Sequence, residues 1–233
     1  MRAVVFQHEE HVDLSLFGPA LQAAGFTLVR RFRTVKREDV DAELVVVLGG
    51  HMGVYEADRH PFINEELALL RERLALERPV LGLCLGAQLL AAAAGSEVFV
   101  GKNGLEVGVA PVRWTKEGLA DPVLAGVRAK TMAAHWHQDT WRPVPGATLL
   151  ASTDRYSQQA FRLGNSYGFQ FHLELSADDL DHWYTLGAEE LELLHEKKVD
   201  ELRSQLPKLR AAEPENRELM ERLVHHFARV ASR

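Results

Sequence analysis

Along the first 95 residues, apolar runs alternate with amphipathic stretches. AVVFQ at 3–7 reads as a buried strand, TLVRRF at 27–32 as a second and ELVVVL at 43–48 as a third. The third is a continuous, largely β-branched run, typical of a strand covered on both faces. LSLFGPALQAAG (14–25) predicts a helix broken or begun near Pro19 and ended by Gly25. FINEELALLRERLAL (62–76) predicts another, with Leu67, Leu70 and Leu74 along one side. VLGL (80–83) reads as a short strand and LGAQLLAAAAG (85–95) as a compact helix closing on glycine. This order indicates an open, mainly parallel sheet with helices on both faces, a three-layer α/β architecture.

Farther on, EVFV, LEVGVAPVRW, ATLLAST, QQAFRL and YGFQFH read as strands separated by loops. After Ser176 the chain becomes helical and charged. From Pro214 to Val230, Leu219, Leu223, Phe227 and Val230 recur at helical spacing. Two readings stand for that stretch: a helix packed on the domain, or one that binds a partner or a second copy. The expected organisation is a principal α/β domain over 1–176 with a helical extension over 177–233 packed on it.

Composition narrows the possibilities. The chain has 233 residues, 46% hydrophobic and 26% charged, with a net charge of −6. That is ordinary globular composition. No broad basic block is present, which argues against nucleic acid as a partner. The longest apolar stretches, 44–50 and 79–95, contain glycines and fall short of the roughly 20 residues of a membrane span. MRAVVFQHEEH turns polar too soon for a signal peptide. One cysteine forms no internal disulfide, so a reducing cytoplasm is the expected setting.

That cysteine, Cys84, stands between Gly82 and Gly86 in PVLGLCLGAQLL. A free cysteine often serves as a small buried hydrophobe, and the apolar neighbours suit that role. The glycines favour another. With glycine near 7% of residues, two at −2 and +2 arise by chance roughly once in two hundred. A strand turning directly into a helix strains the residue at the bend, and its neighbours two positions away must lack a β-carbon. Such a bend lifts the sulfur to a helix N-terminus, where free N–H groups favour a thiolate. The pattern describes a nucleophile elbow carrying sulfur.

A thiolate nucleophile needs a base. Of the 11 histidines, His8, His11, His51, His60, His182, His195, His225 and His226 lie in polar or helical surroundings that suit a solvated role. In GFQFHLELS (168–176), His172 ends a predicted strand and Glu174 follows two positions later. Strand side chains repeat every two residues, so the two share a face and the carboxylate can orient the imidazole. The plainer alternative is a surface histidine that happens to have an acid nearby.

Taken together, these segments resemble the class I (triad) glutamine amidotransferases, over roughly residues 40–176. GLCLGAQLLA is similar to the family's nucleophile segment, GFQFHLE to its histidine–glutamate segment, and VVVLGGHMGVYE to its glycine pair after a strand. HWHQDT (135–140) and SQQAF (157–161) resemble stand-alone proteins akin to the amidotransferase domain of GMP synthetase. The resemblance implies a flavodoxin-like fold and a Cys84–His172–Glu174 triad acting through a thioester on glutamine or another γ-glutamyl compound. It implies an oxyanion hole from the backbone of Gly49, Gly50 and Leu85. Substrate contacts would come from Gln88 and from the chain around Trp136 and His137. Two positions depart from the family: Leu173 and His51 stand where proline is common. Loss of proline at 173 bears on rigidity, and His51 beside the oxyanion site bears on substrate choice, unless it is a simple exposed loop residue.

His135, His137 and Asp139 invite a metal reading. No second cluster supplies further ligands, so no metal is expected; a pocket-lining loop with Trp136 or Trp141 as a wall is the simpler account. No P-loop or G-x-G-x-x-G motif opens a helix, so no nucleotide cofactor is expected. Three functions stay open: a free-standing γ-glutamyl amide hydrolase, an amidotransferase subunit dependent on a separate synthetase, and a catalytically silent binding relative.

Overall fold

The computed structural model describes residues 1–193 and 198–232, and His195 lies outside them. The first half contains β1 (Arg2–Gln7), α1 (Phe17–Ala23), β2 (Thr27–Phe32), β3 (Leu44–Val47), α2 (Phe62–Ala75), β4 (Val80–Leu83) and α3 (Leu85–Ala93). There follow β5 (Val98–Val100), β6 (Glu106–Trp114), the short α4 (Lys116–Leu119), β7 (Lys130–His137), β8 (Asp139–Trp141), β9 (Thr148–Ser152), β10 (Ala160–Leu163) and β11 (Ser166–Phe169). The chain closes with α5 (Ala177–Leu186), α6 (Ala188–Leu193), α7 (Val199–Arg203) and α8 (Leu206–Ala231).

The described strands form a nine-stranded sheet in the order β2-β1-β3-β4-β11-β10-β9-β6-β7, and β5 pairs with β8 separately. From β2 to β11 all neighbours are parallel; from β11 to β7 all are antiparallel. Alternation along the parallel strands feeds two cores. Ala3, Val5, Leu44, Val46, Leu81 and Leu83 pack with α1, α5 and α8. Val4, Phe6, Val45, Val47 and Val80 pack with α2 and α3. β1, β3 and β4 are therefore buried on both sides while β2 forms the exposed edge, and the architecture is the three-layer α/β arrangement expected.

Helix α8 is longer than the pattern from Pro214 suggested; it starts at Leu206 and runs through that proline. Leu219, Leu223 and Phe227 are buried in the first core and Val230 is half-buried. The Asn216 side chain donates to the Met132 carbonyl of β7 at 3.1 Å, tying the helix to the sheet edge.

Candidate active site

At the C-terminal ends of parallel strands, backbone amides converge and side chains open outward, the usual place for ligands in such sheets. Cys84 sits at the junction of β4 and α3 with φ 52° and ψ −111°, a conformation costly for a residue with a β-carbon. The surroundings enforce it. The Cys84 N–H donates to the Phe169 carbonyl at 2.8 Å, and its own carbonyl accepts from the N–H groups of Ala87 and Gln88. A β-carbon on Gly82 would collide with the Gly86 carbonyl, and one on Gly86 with the Val47 carbonyl. The two glycines are thus required by close backbone approach. The thiol is only 7% exposed, yet it lines a cavity of about 480 Å³ together with Gly49, Gly50, Gln88, Trp136 and His172.

His172 lies three residues past β11, where the pattern placed it at a strand's end. It is held instead by a bridge to β7: its N–H donates to the Ala134 carbonyl at 2.8 Å and its carbonyl accepts from the Ala134 N–H at 3.3 Å. Trp183 presents an edge to the ring, with centroids 5.1 Å apart. His172 Nδ1 and Glu174 Oε1 are 2.6 Å apart, and both residues are nearly sealed from solvent. Nε2 has no hydrogen-bond partner among the described residues. A β-carbon placed on Gly49 would lie 3.5 Å from both Cys84 Cβ and His172 Cε1, so the glycine, the cysteine side chain and the imidazole meet at one point. Burial alone would lower the His172 pKa; the Glu174 charge and the nearby Cys84 sulfur outweigh it and raise the value to about 10.

Gln170 was missed by the sequence reading. Its Nε2 lies 3.6 Å from Cys84 Sγ, and its Oε1 accepts from Gln88 Nε2 at 3.1 Å. The signal was present: Gln170, His172 and Glu174 share one two-residue alternation. The Gln88 amide N–H is therefore engaged with Gln170.

HWHQDT is not a loop. It is the end of β7, one connecting residue and the start of β8. Trp136 and Asp139 line the cavity, and the Trp136 carbonyl lies 3.8 Å from Cys84 Sγ. Trp141 does not line it; it is buried on the other face against Phe161. His51 lies at the mouth, largely exposed and paired with Glu9 at 2.5 Å. Trp183, Leu186 and Gly187, beyond residue 176, complete the wall.

Beneath Trp136, the register of β6 and β7 sets Glu106 opposite His137. His137 Nε2 is 3.0 Å from Glu106 Oε2, while Nδ1 faces the Asp139 carbonyl at 3.1 Å. Glu106, His135 and His137 offer atoms within 4.8 Å of one another; Glu106 is the further donor that the sequence reading lacked, and Asp139 is not in the group. Among the described residues, these three are the group that could hold a metal ion. Gln159 Nε2 donates to the same Glu106 oxygen at 2.6 Å and so competes for it. Burial pulls the His135 pKa down to about 4, while the two imidazoles hold Glu106 below the usual carboxylate range despite its burial.

A strained cysteine at a strand–helix bend, beside a carboxylate-paired histidine above a parallel sheet, marks the candidate site of a three-layer α/β protein. Its family follows from comparison. The family model for "Glutamine amidotransferase class-I" matches residues 22–185. The glutamine amidotransferase-like protein YfeJ of Salmonella typhimurium is 30% identical over 143 residues, 60% of this chain and 59% of that protein. One component of the glutamine-hydrolyzing GMP synthase of Halobacterium salinarum is 29% identical over 157 residues, 65% of this chain and 77% of that one. A crystal structure of a glutamine amidotransferase from Thermotoga maritima superposes with a TM-score of 0.88 at 28% identity, covering 98% of each chain. The chain belongs to the class-I glutamine amidotransferase family. The match with YfeJ spans less than two thirds of that relative's length.

Among the described residues, His8 corrects the expectation of a solvated histidine. It is fully buried, with Nδ1 on the Gly49 carbonyl at 3.0 Å and Nε2 on both Glu66 oxygens at 3.1 Å. No helix among the described residues is long and apolar enough to cross a membrane.

Proposed function

We propose that this chain hydrolyses the γ-glutamyl amide bond, with free glutamine as the default substrate and γ-glutamyl amines or peptides as variants of the same chemistry. The carrying observation is the convergence of Cys84, Gly49 and His172 on one cavity, with Glu174 behind the imidazole. In this reading His172 Nε2 already holds the thiol's proton in the resting site, and the thiolate sulfur attacks the amide carbon. The carbon–nitrogen bond breaks, and His172 gives that proton to the departing ammonia or amine. Water then adds to the thioester, losing a proton to His172, and the thiol leaves with it. Glu174 fixes Nδ1–H and steadies the imidazolium through both halves. Backbone N–H groups of Gly49, Gly50 and Leu85 receive the negative oxygen of each tetrahedral intermediate. Leu85 suits this role because the first amide of α3 has no acceptor within its own helix.

Gln88, Trp136 and the backbone at His137 then contact the amino-acid end of the substrate. Gln88 acts through its hold on Gln170, and the His137 side chain stays with Glu106. No step calls on a metal or nucleotide. The single cysteine suits a reducing cytoplasm. A second reading, a glutaminase subunit that works only beside a separate synthetase, is favoured by the similarity to the Halobacterium salinarum GMP synthase component.

The test is release of glutamate from glutamine, γ-glutamyl peptides and γ-glutamylamines by the purified protein, with Cys84→Ala as control. Turnover lost in that variant supports the hydrolase. Turnover that appears only with cell extract supports the partner-dependent reading. Absence of glutamate under every condition contradicts both.

A further inference from the structure

We infer that the buried His8–Glu66 pair is a positioning device that fixes which way the Gly49–Gly50 peptide faces, and so aims the Gly50 N–H into the cavity. The inference rests on the proposed hydrolytic reading for its purpose but on geometry for its content.

Both ring nitrogens of His8 face oxygens: Nδ1 the Gly49 carbonyl at 3.0 Å, Nε2 the Glu66 carboxylate at 3.1 Å. A carbonyl and a carboxylate are both acceptors, so each nitrogen must bring a proton. His8 therefore stands as an imidazolium against a carboxylate, and both side chains are sealed from solvent. Burial opposes that charge, but the Glu66 contact outweighs it and raises the His8 pKa. Phe62 stacks on the ring with centroids 5.6 Å apart, which fixes its plane.

The consequence falls on one peptide. The Gly49–Gly50 peptide is trans, so the Gly49 carbonyl and the Gly50 N–H point in opposite directions. With the carbonyl held by the cation, the N–H is turned away from His8. It has no acceptor among the described residues, although it lies in the wall of the cavity that holds Cys84. A glycine–glycine peptide resists inversion poorly, because neither residue carries a β-carbon. Space here is tight as well: a β-carbon on Gly50 would crowd Met52 Sδ at 2.7 Å and His8 Cβ at 3.0 Å. The loop is thus free to flip by its own chemistry, and the charged hydrogen bond from His8 sets its direction. His8 touches neither substrate nor sulfur in this account; it acts through the peptide.

Two variants separate aim from bulk. An Asn amide places its N–H near the position of Nδ1, a Gln amide near that of Nε2. Glu66→Gln is included in both, so that no carboxylate is left unpaired. His8→Asn/Glu66→Gln keeps a donor for the Gly49 carbonyl; His8→Gln/Glu66→Gln does not. Crystal structures of both, with steady-state kinetics, are the experiment. The expected result is an inverted Gly49–Gly50 peptide in the Gln variant alone. Its kcat should fall by ~10²-fold or more with KM little changed, the scale of one lost oxyanion donor, while the Asn variant stays within about ten-fold of the parent. Alkylation of Cys84 by iodoacetamide, which forms no oxyanion, should proceed at similar rates in all three. A Gly49 carbonyl that keeps its direction in the Gln variant overturns the inference, as does an equal loss of kcat in both variants. A parent that cleaves no γ-glutamyl compound contradicts the proposed function alone, because the peptide's direction is read without turnover.

Discussion

Two buried histidine–carboxylate pairs flank the same glycine. His172–Glu174 and His8–Glu66 are both almost wholly removed from solvent, and in both the carboxylate outweighs burial and raises the imidazole's pKa. They differ in what the second ring nitrogen meets. His172 Nε2 is left open beside Cys84, whereas His8 Nδ1 is spent on the Gly49 carbonyl. An open nitrogen can exchange a proton with a reacting group. A committed one can only hold geometry. In the proposed account the same pair of residue types serves chemistry at one site and aim at the other, and the free valence decides which.

The sharpest way to break this contrast is to remove each pair in turn. His172→Gln should cut kcat by roughly 10⁶-fold, the scale of losing a base that works as a unit with its nucleophile. Equal losses on removing His172 and His8 would erase the distinction. Glu174→Gln leaves the ring in place but in the wrong tautomer, and should cost roughly 10⁴-fold. Glu66→Gln still accepts a hydrogen bond from His8, and should cost only about ten-fold, or ~1.4 kcal/mol.

A pH series sharpens the contrast further. The His172 pKa is raised in the fold from 6.5 to about 10. The pair's stabilisation is therefore complete below about pH 6.5 and is lost as pH rises through about 10. Urea unfolding at pH 7 and pH 10.5 should show the parent losing more stability than His172→Gln over that interval. A parallel decline in both would contradict the charged pair. The smallest effect is expected at the rim: His51→Ala breaks an exposed ion pair with Glu9 and should cost under ~1 kcal/mol in unfolding, with kcat/KM within about three-fold.

The centre of the parallel half of the sheet was legible because its strands are buried on both faces and read as unbroken apolar runs, as in LVVV and VLGL. The elbow was legible because the close approaches at Gly82 and Gly86 leave glycine as their mark. His172 and Glu174 were legible because their separation is local. What escaped were buried polar groups whose partners are distant. His137 meets Glu106 only through the pairing of β6 with β7, 31 residues apart. With two histidines and a tryptophan, the end of β7 resembled a loop. His8 follows an apolar strand and Glu66 sits in the polar-looking stretch NEEL, yet α2 buries that acid beside Leu67 and Leu70. Hydropathy reads a charged residue as outward, and a charge neutralised 58 residues away leaves no local trace.

The central claim concerns one sulfur, and the chain carries only one cysteine. Incubation with a glutamine-like diazo ketone followed by intact-mass and peptide mapping tests it most directly. The account predicts a single adduct on the peptide bearing Cys84, formed faster in the parent than in His172→Gln and absent from Cys84→Ala. An adduct elsewhere, or none under conditions where the protein releases glutamate, would contradict it.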